Sequence, residues 1–275
     1  MPTGARKITG YSDISEQVLA QESIIRSVSN LDVEGTPGTT QVSVYVHSLA
    51  TVADYVPGTG VSLTNDGSSY VVLTTLKEKA VNELLDGYTV DTAPADLVVS
   101  RFQAGVSALG EQVDTDALIL MESGGTELVA VGGAKPVAGT IYADILALKK
   151  AIDDTKAPRR ERSLLINPEM ESLLLNVDSK VILNTDRGDR ILQEGWIGRV
   201  AGFDVFGTTL LPSGTNMIAL QKRGFAYRDS WKVAPVIQSL AGSGTYIGDS
   251  AVQGRMAYTY GVIRATLIQV NNGAA

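Results

Sequence analysis

The stretch from residue 40 to residue 76 limits what this chain can fold into more than any other part. Residues 41–49 (Gln-Val-Ser-Val-Tyr-Val-His-Ser-Leu) alternate apolar and polar at period two, as a strand does. Turn formers follow at Pro57, Gly58, Gly60, Asp66 and Gly67, and Asp66-Gly67 is a hairpin signal. Tyr70 to Leu76 reads as a second strand. Together these residues form a long, glycine-rich β-excursion with few side chains able to build a core of their own. Such a segment must lie on something else.

The flanks are more regular. Ser12 to Asn30 has a helical pattern, with Ser12 or Asp13 as cap and Ile14, Val18, Ile25 and Val28 near one face. Gly35, Pro37 and Gly38 break the chain. Lys77 to Asp86 reads as a short helix ended by Gly87. A longer helix is predicted from Pro94 to Met121, where Val98, Phe102, Val106, Leu109 and Val113 recur every three or four residues. Gly124, Gly125, Gly132 and Gly133 bracket a break. Thr140 to Asp154 is a further helix, with Ile141, Ile145, Leu148 and Ile152 on one face. Leu164 to Ile166 is a short buried strand, after which Asn167 and Pro168 signal a helix start. Gly198 to Leu211 reads as strand, turn, strand. Met217–Leu220, Phe225–Tyr227 and Tyr258–Val270 are expected strands. The class is α+β, with no tandem repeat.

Chemistry is hard to build from these residues. Cys is absent, so thiolate catalysis and cysteine metal sites are excluded. The one histidine, His47, sits in a predicted strand, and no Gly-x-Ser-x-Gly elbow is present. Gly242-Ser243-Gly244 with Gly248 lacks the spacing of a dinucleotide loop. Asp114 with Asp116, and Asp153 with Asp154, read as solvated helix ends and not as a calcium loop. Arg159, Arg160 and Arg162 read as a solvated turn, the alternative being a contact with phosphate or an acidic neighbour. Asp186, Asp189 and Glu194 lie among Arg187, Arg190 and Arg199, which suggests ion pairs within or between chains. A net charge of -7 argues against a protein that grips nucleic acid across its whole surface. No signal peptide or run of membrane-spanning length is visible. No catalytic residue, cofactor or metal ligand is expected.

Several segments together resemble a known family. Leu164-Leu165-Ile166-Asn167-Pro168 looks like a strand-to-helix segment of tailed-bacteriophage major capsid proteins, whose fold is shared with herpesvirus shells and encapsulins. Gly198-Arg199-Val200-Ala201-Gly202-Phe203-Asp204-Val205, continuing to Leu210-Leu211-Pro212, looks like that family's "G-r-i-x-G-f-x-V … l-P" segment. Ala219 to Tyr227 and Tyr258-Thr259-Tyr260-Gly261-Val262 are similar to its later strands.

The resemblance implies an N-terminal arm (1–36), an extended β-hairpin loop (37–76) and a peripheral domain with a long spine helix (77–139). It then implies a mainly axial domain (140–235) and a return to the peripheral sheet (236–275). It implies a structural protein, not an enzyme, that self-assembles into hexamers and pentamers of an icosahedral shell around double-stranded DNA. Portal and a separate scaffolding protein would be partners, no membrane would be involved, and assembly would take place in the host cytoplasm. Ile14, Val18, Ile25 and the charged residues Asp186, Arg187, Asp189, Arg190, Glu194 and Arg199 would make inter-subunit contacts. Gly87, Gly124, Gly125, Gly132 and Gly133 would be hinges. Some relatives cross-link subunits through a lysine in the extended loop, but no Lys occurs between Val33 and Leu76. Alternatives are an encapsulin-like compartment, a hydrolase with an unrecognised site, or a virion accessory protein.

Overall fold

The computed structural model describes residues 23–272, apart from 49–51, 56, 59, 62–64, 66, 88–96, 129–134, 177–197, 242–243 and 247. Its centre is a six-stranded sheet in the order β4-β11-β8-β5-β7-β6. These strands are β4 (Thr126–Glu127), β5 (Arg162–Ile166), β6 (Arg199–Val200), β7 (Phe203–Gly207), β8 (Thr215–Gln221) and β11 (Ile268–Asn272). β5 and β8 are buried on both faces, so they read as continuous apolar runs. Alternation then divides their side chains between two cores. Leu164, Ile166, Met217 and Ala219 face helix α3 (Ile141–Asp154), which presents Ile141, Ile145, Leu148 and Ile152. Leu165, Ile218 and Leu220 face the opposite way, with Ile268 and Val270 of β11. Each fully buried Leu or Ile contributes about 1.5–3 kcal/mol.

The second core lies under helix α2 (Leu97–Gly124), whose Leu109, Val113, Ala117, Leu118 and Met121 are buried. α2 also crosses a three-stranded antiparallel sheet, β3-β10-β9, formed by β3 (Thr75–Leu85), β9 (Phe225–Ser239) and β10 (Ser250–Val262). Tyr227, Met256, Tyr258 and Tyr260 of that sheet complete the core. The two sheets are joined twice. The 3₁₀ turn Lys222–Gly224 leads from β8 to β9, and the 3₁₀ turn Ala265–Leu267 leads from β10 to β11. The crossings touch: the Ile263 N–H donates to the Gly224 carbonyl at 2.8 Å. A Cβ on Gly224 would stand 3.0 Å from Leu267 Cβ, so glycine permits the approach.

Two expectations are corrected here. Residues 77–86 are not a helix but most of β3. Lys, Glu, Ala and Leu favour a helix, but β10 offers an edge along the whole segment, from Tyr260↔Thr75 to Ser250↔Leu85. Tertiary pairing overrides local propensity. Lys77, Val81 and Glu83 face α2, whereas Leu76 and Leu84 face away and are about half exposed. Tyr258–Val270 is not one strand either; the turn at 265–267 sends its two ends into different sheets.

Other local signals match the structure. Asn167 caps α4 (Pro168–Leu174), its Oδ1 accepting from Met170 N–H at 2.8 Å. Ala201 and Gly202 have positive φ (50° and 93°) and close the tight β6–β7 turn. Of the helix expected over 12–30, α1 (Ile24–Val28) is seen; Ser12 to Glu22 lie outside the described residues.

Candidate assembly surface

The excursion forms a two-stranded antiparallel ribbon, β1 (Ser43–Val46) with β2 (Ser69–Val72), in the register Ser43↔Val72 to Val46↔Ser69. The strands are joined through 47–68, and Asp66 of the Asp66-Gly67 signal lies outside the described residues. Its base is fastened to the body. Val42, Val44 and Leu73 are buried with Ala226 of β9. Glu34 and Ser43 exchange backbone hydrogen bonds at 2.9 and 3.0 Å. Beyond the base the cover ends. Val52 is 93% exposed, Tyr55 72% and Tyr70 57%. Tyr45 lies between the His47 and Tyr70 rings, at 4.6 and 5.0 Å. Exposed aromatic and aliphatic side chains on a thin ribbon are typical of a surface that meets another molecule.

The start of α1 is held by a buried carboxylate. Asp114 of α2 accepts from Ser23 Oγ (2.7 Å) and from the N–H groups of Ile24 (2.8 Å) and Ile25 (3.4 Å). It thus caps α1 from another element, where α1 has no side-chain cap of its own. Burial pushes the Asp114 carboxyl above the usual aspartate range, against the pull of those hydrogen bonds. Ile25, expected at a subunit contact, is instead fully buried in its own chain's core, because the cap turns that face of α1 onto α2. Ile14 and Val18 lie outside the described residues.

Asp116 is not solvated either. It accepts from the Tyr258 hydroxyl and from Gln112 Nε2 (3.3 Å), and pairs with Lys77 Nζ at 2.9 Å. Burial pushes its carboxyl up, but Tyr258 and Lys77 outweigh burial and hold it below the usual range. Burial and Asp116 together push the Tyr258 phenol up. This network fastens β3 and β10 to α2.

The basic run is only partly solvated. Arg162 is buried, with Nε to the Pro158 carbonyl (2.9 Å), Nη2 to the Ala157 carbonyl (3.0 Å) and Nη1 to Asp153 (2.7 Å). Burying a guanidinium is tolerable only with such full pairing. Of the charged cluster, Arg199 pairs with Asp204 of its own chain, at 2.8 and 3.1 Å. Asp186, Arg187, Asp189, Arg190 and Glu194 lie outside the described residues, as do Gly132 and Gly133.

The remaining glycines are sites of close approach. A Cβ on Gly87 would meet the Gly248 carbonyl at 2.4 Å, one on Gly124 would meet Val262 at 2.8 Å, and one on Gly125 would meet Met121 O at 2.7 Å and Val270 at 2.8 Å. Among the described residues no group of three or more His, Cys, Asp or Glu could hold a metal. No helix among them is long and apolar enough to cross a membrane. Sequence reasoning missed Asp114, Lys77 and Arg162, since helical or turn spacing says nothing about what packs on a residue.

A ribbon anchored at its base, a long helix laid across a three-stranded sheet, and a second sheet with helices together define a fold seen in phage capsids. The chain is similar to a solved structure of Mycobacterium phage Che8, with 20% identity, TM-score 0.72, and 92% of this chain and 93% of that one covered. It is similar to the capsid structure of the cyanophage P-SCSP1u (12% identity, TM-score 0.73, 92% and 88% covered). It is also similar to the capsid of an empty GTA particle (12% identity, TM-score 0.62, 92% and 90% covered). No curated protein matches it. Residues 83–271 match the family described as "Phage capsid protein", and the chain belongs to that family.

Proposed function

We propose that this capsid protein assembles through hexamers and pentamers into an icosahedral shell that encloses double-stranded DNA in the virion. The observation that carries the reading is the excursion. Its base is fixed to the body, yet Val52, Tyr55 and Tyr70 stay largely exposed among the described residues. A neighbouring copy would supply cover, and the burial gained would make assembly cooperative. Cross-linking through a lysine of the excursion does not enter this reading, since no lysine lies between Val33 and Leu76; wrapping of surfaces around neighbours holds the shell. Assembly in the host cytoplasm, with a portal and a separate scaffolding protein, accompanies this reading. No catalytic activity belongs to it.

Electron microscopy of the purified protein tests the proposal. Closed shells or five- and six-membered rings are expected. A protein that stays a monomer at high concentration, with or without a scaffolding protein, would end it. Particles that copurify with a protein cargo and no DNA would point to a compartment of the encapsulin kind instead.

A further inference from the structure

Three separate stretches meet at one end of the six-stranded sheet: the last turn of α3, the turn 155–161 and the 3₁₀ turn Lys222–Gly224. The β5–β8 register sets Arg162 opposite Gln221, and Lys222 N–H donates to the Glu161 carbonyl at 3.0 Å, which makes the two turns neighbours. Lys150, Lys156, Arg159, Arg160 and Arg223 are exposed there, and Lys222 is half-buried. The acids within these three stretches are Asp153, Asp154 and Glu161. Asp153 is already engaged by buried Arg162 at 2.7 Å, with Arg159 at 3.9 Å. Among the described residues, Lys150, Lys156, Arg160, Lys222 and Arg223 have no ion-pair partner. The face is therefore cationic on a chain whose net charge is -7.

The turn is also shaped in advance. Arg162 holds it from beneath through the carbonyls of Ala157 and Pro158, while Lys156 and Glu161 adopt left-handed φ (57° and 56°). One arginine is spent inside so that its two neighbours face out. A protein-binding surface of this size would have an apolar centre and few lysines. None of the exposed large hydrophobic side chains falls within 149–162 or 221–224. A polyanion needs no apolar centre.

We propose that this face binds the phosphate backbone of double-stranded DNA without reading its sequence. The inference rests on the shell reading for its biological setting. The acidity of the whole chain limits nonspecific adhesion, and this one face supplies a local point of contact.

The test is fluorescence anisotropy with a short labelled DNA duplex over a range of salt, using the full chain and R159Q/R160Q/K222Q/R223Q. Arg162 is left intact so that the turn keeps its support, and melting curves verify the fold. The slope of log K against log salt should fall by about 3, and low-salt affinity by about a hundredfold or more. K79Q/R255Q, which removes charge from β3 and β10, should change neither. Unchanged affinity and slope in the four-site variant would overturn the proposal, as would a wild-type chain that does not bind the duplex. A four-site variant that binds DNA normally but no longer forms shells would also overturn it, and would assign the face to an acidic protein neighbour. Failure of the wild-type chain to form shells at all would count against the shell reading alone, because the duplex titration needs no shell.

Discussion

Asp114 accepts three hydrogen bonds at the start of α1. Asp114→Ala removes the acceptor of the buried Ile25 N–H and of the part-buried Ile24 N–H and Ser23 hydroxyl. The expected cost is about 1–3 kcal/mol, read by chemical denaturation, with Asp114→Asn in between; an Ala variant as stable as wild type would show that α1 does not depend on the cap. Asp116, two residues on, predicts a pH effect. Its carboxyl is held below its unfolded value, so its contribution is present above the ordinary aspartate range and is lost as pH falls through the folded value. Asp114 has the opposite sign. Its raised value means that its contribution weakens as pH rises from the unfolded to the folded value. Melting temperature against pH should therefore fall less steeply in acid for Asp116→Asn than for wild type; parallel curves would rule the linkage out. Neither role was legible from the sequence. Two aspartates on a helix look the same whether they meet water or Tyr258, because the partner lies far away along the chain.

At the level of elements, what could be read depended on whether the deciding forces were local. Helix 140–154 was legible because its apolar spacing matches the face it buries, and the Asn167-Pro168 start was legible because a cap is a local device. β3 was misread because its fate is set by β10, far along the chain. The excursion was read as a segment without a core of its own, and its buried side chains do lie against Ala226 of β9. Replacing 47–68 by a tight two-residue turn should leave the protomer's melting temperature nearly unchanged, since the buried anchors Val42, Val44 and Leu73 remain. The same deletion should abolish shells under the electron microscope. Normal shells from the shortened chain would remove the excursion from the assembly mechanism.

For the whole molecule, the shared sheet matters most. β5 and β8 give alternate side chains to two cores, so neither core can be lost without the other. The protomer should melt in one cooperative transition by calorimetry, and Ile218→Ala should lower it as a whole by about 2–5 kcal/mol. Two separable transitions would contradict the shared-sheet account. The double crossing between the sheets, at Lys222–Gly224 and Ala265–Leu267, carries a mechanical consequence. Two chains running side by side make a flat strap. A strap bows readily across its face and resists shear along its plane. Relative tilting of the two sheets is therefore the compliant direction of this molecule and sliding the stiff one. In the proposed shell, a subunit of this build would adjust its curvature while passing an outward load along its strands to its neighbours.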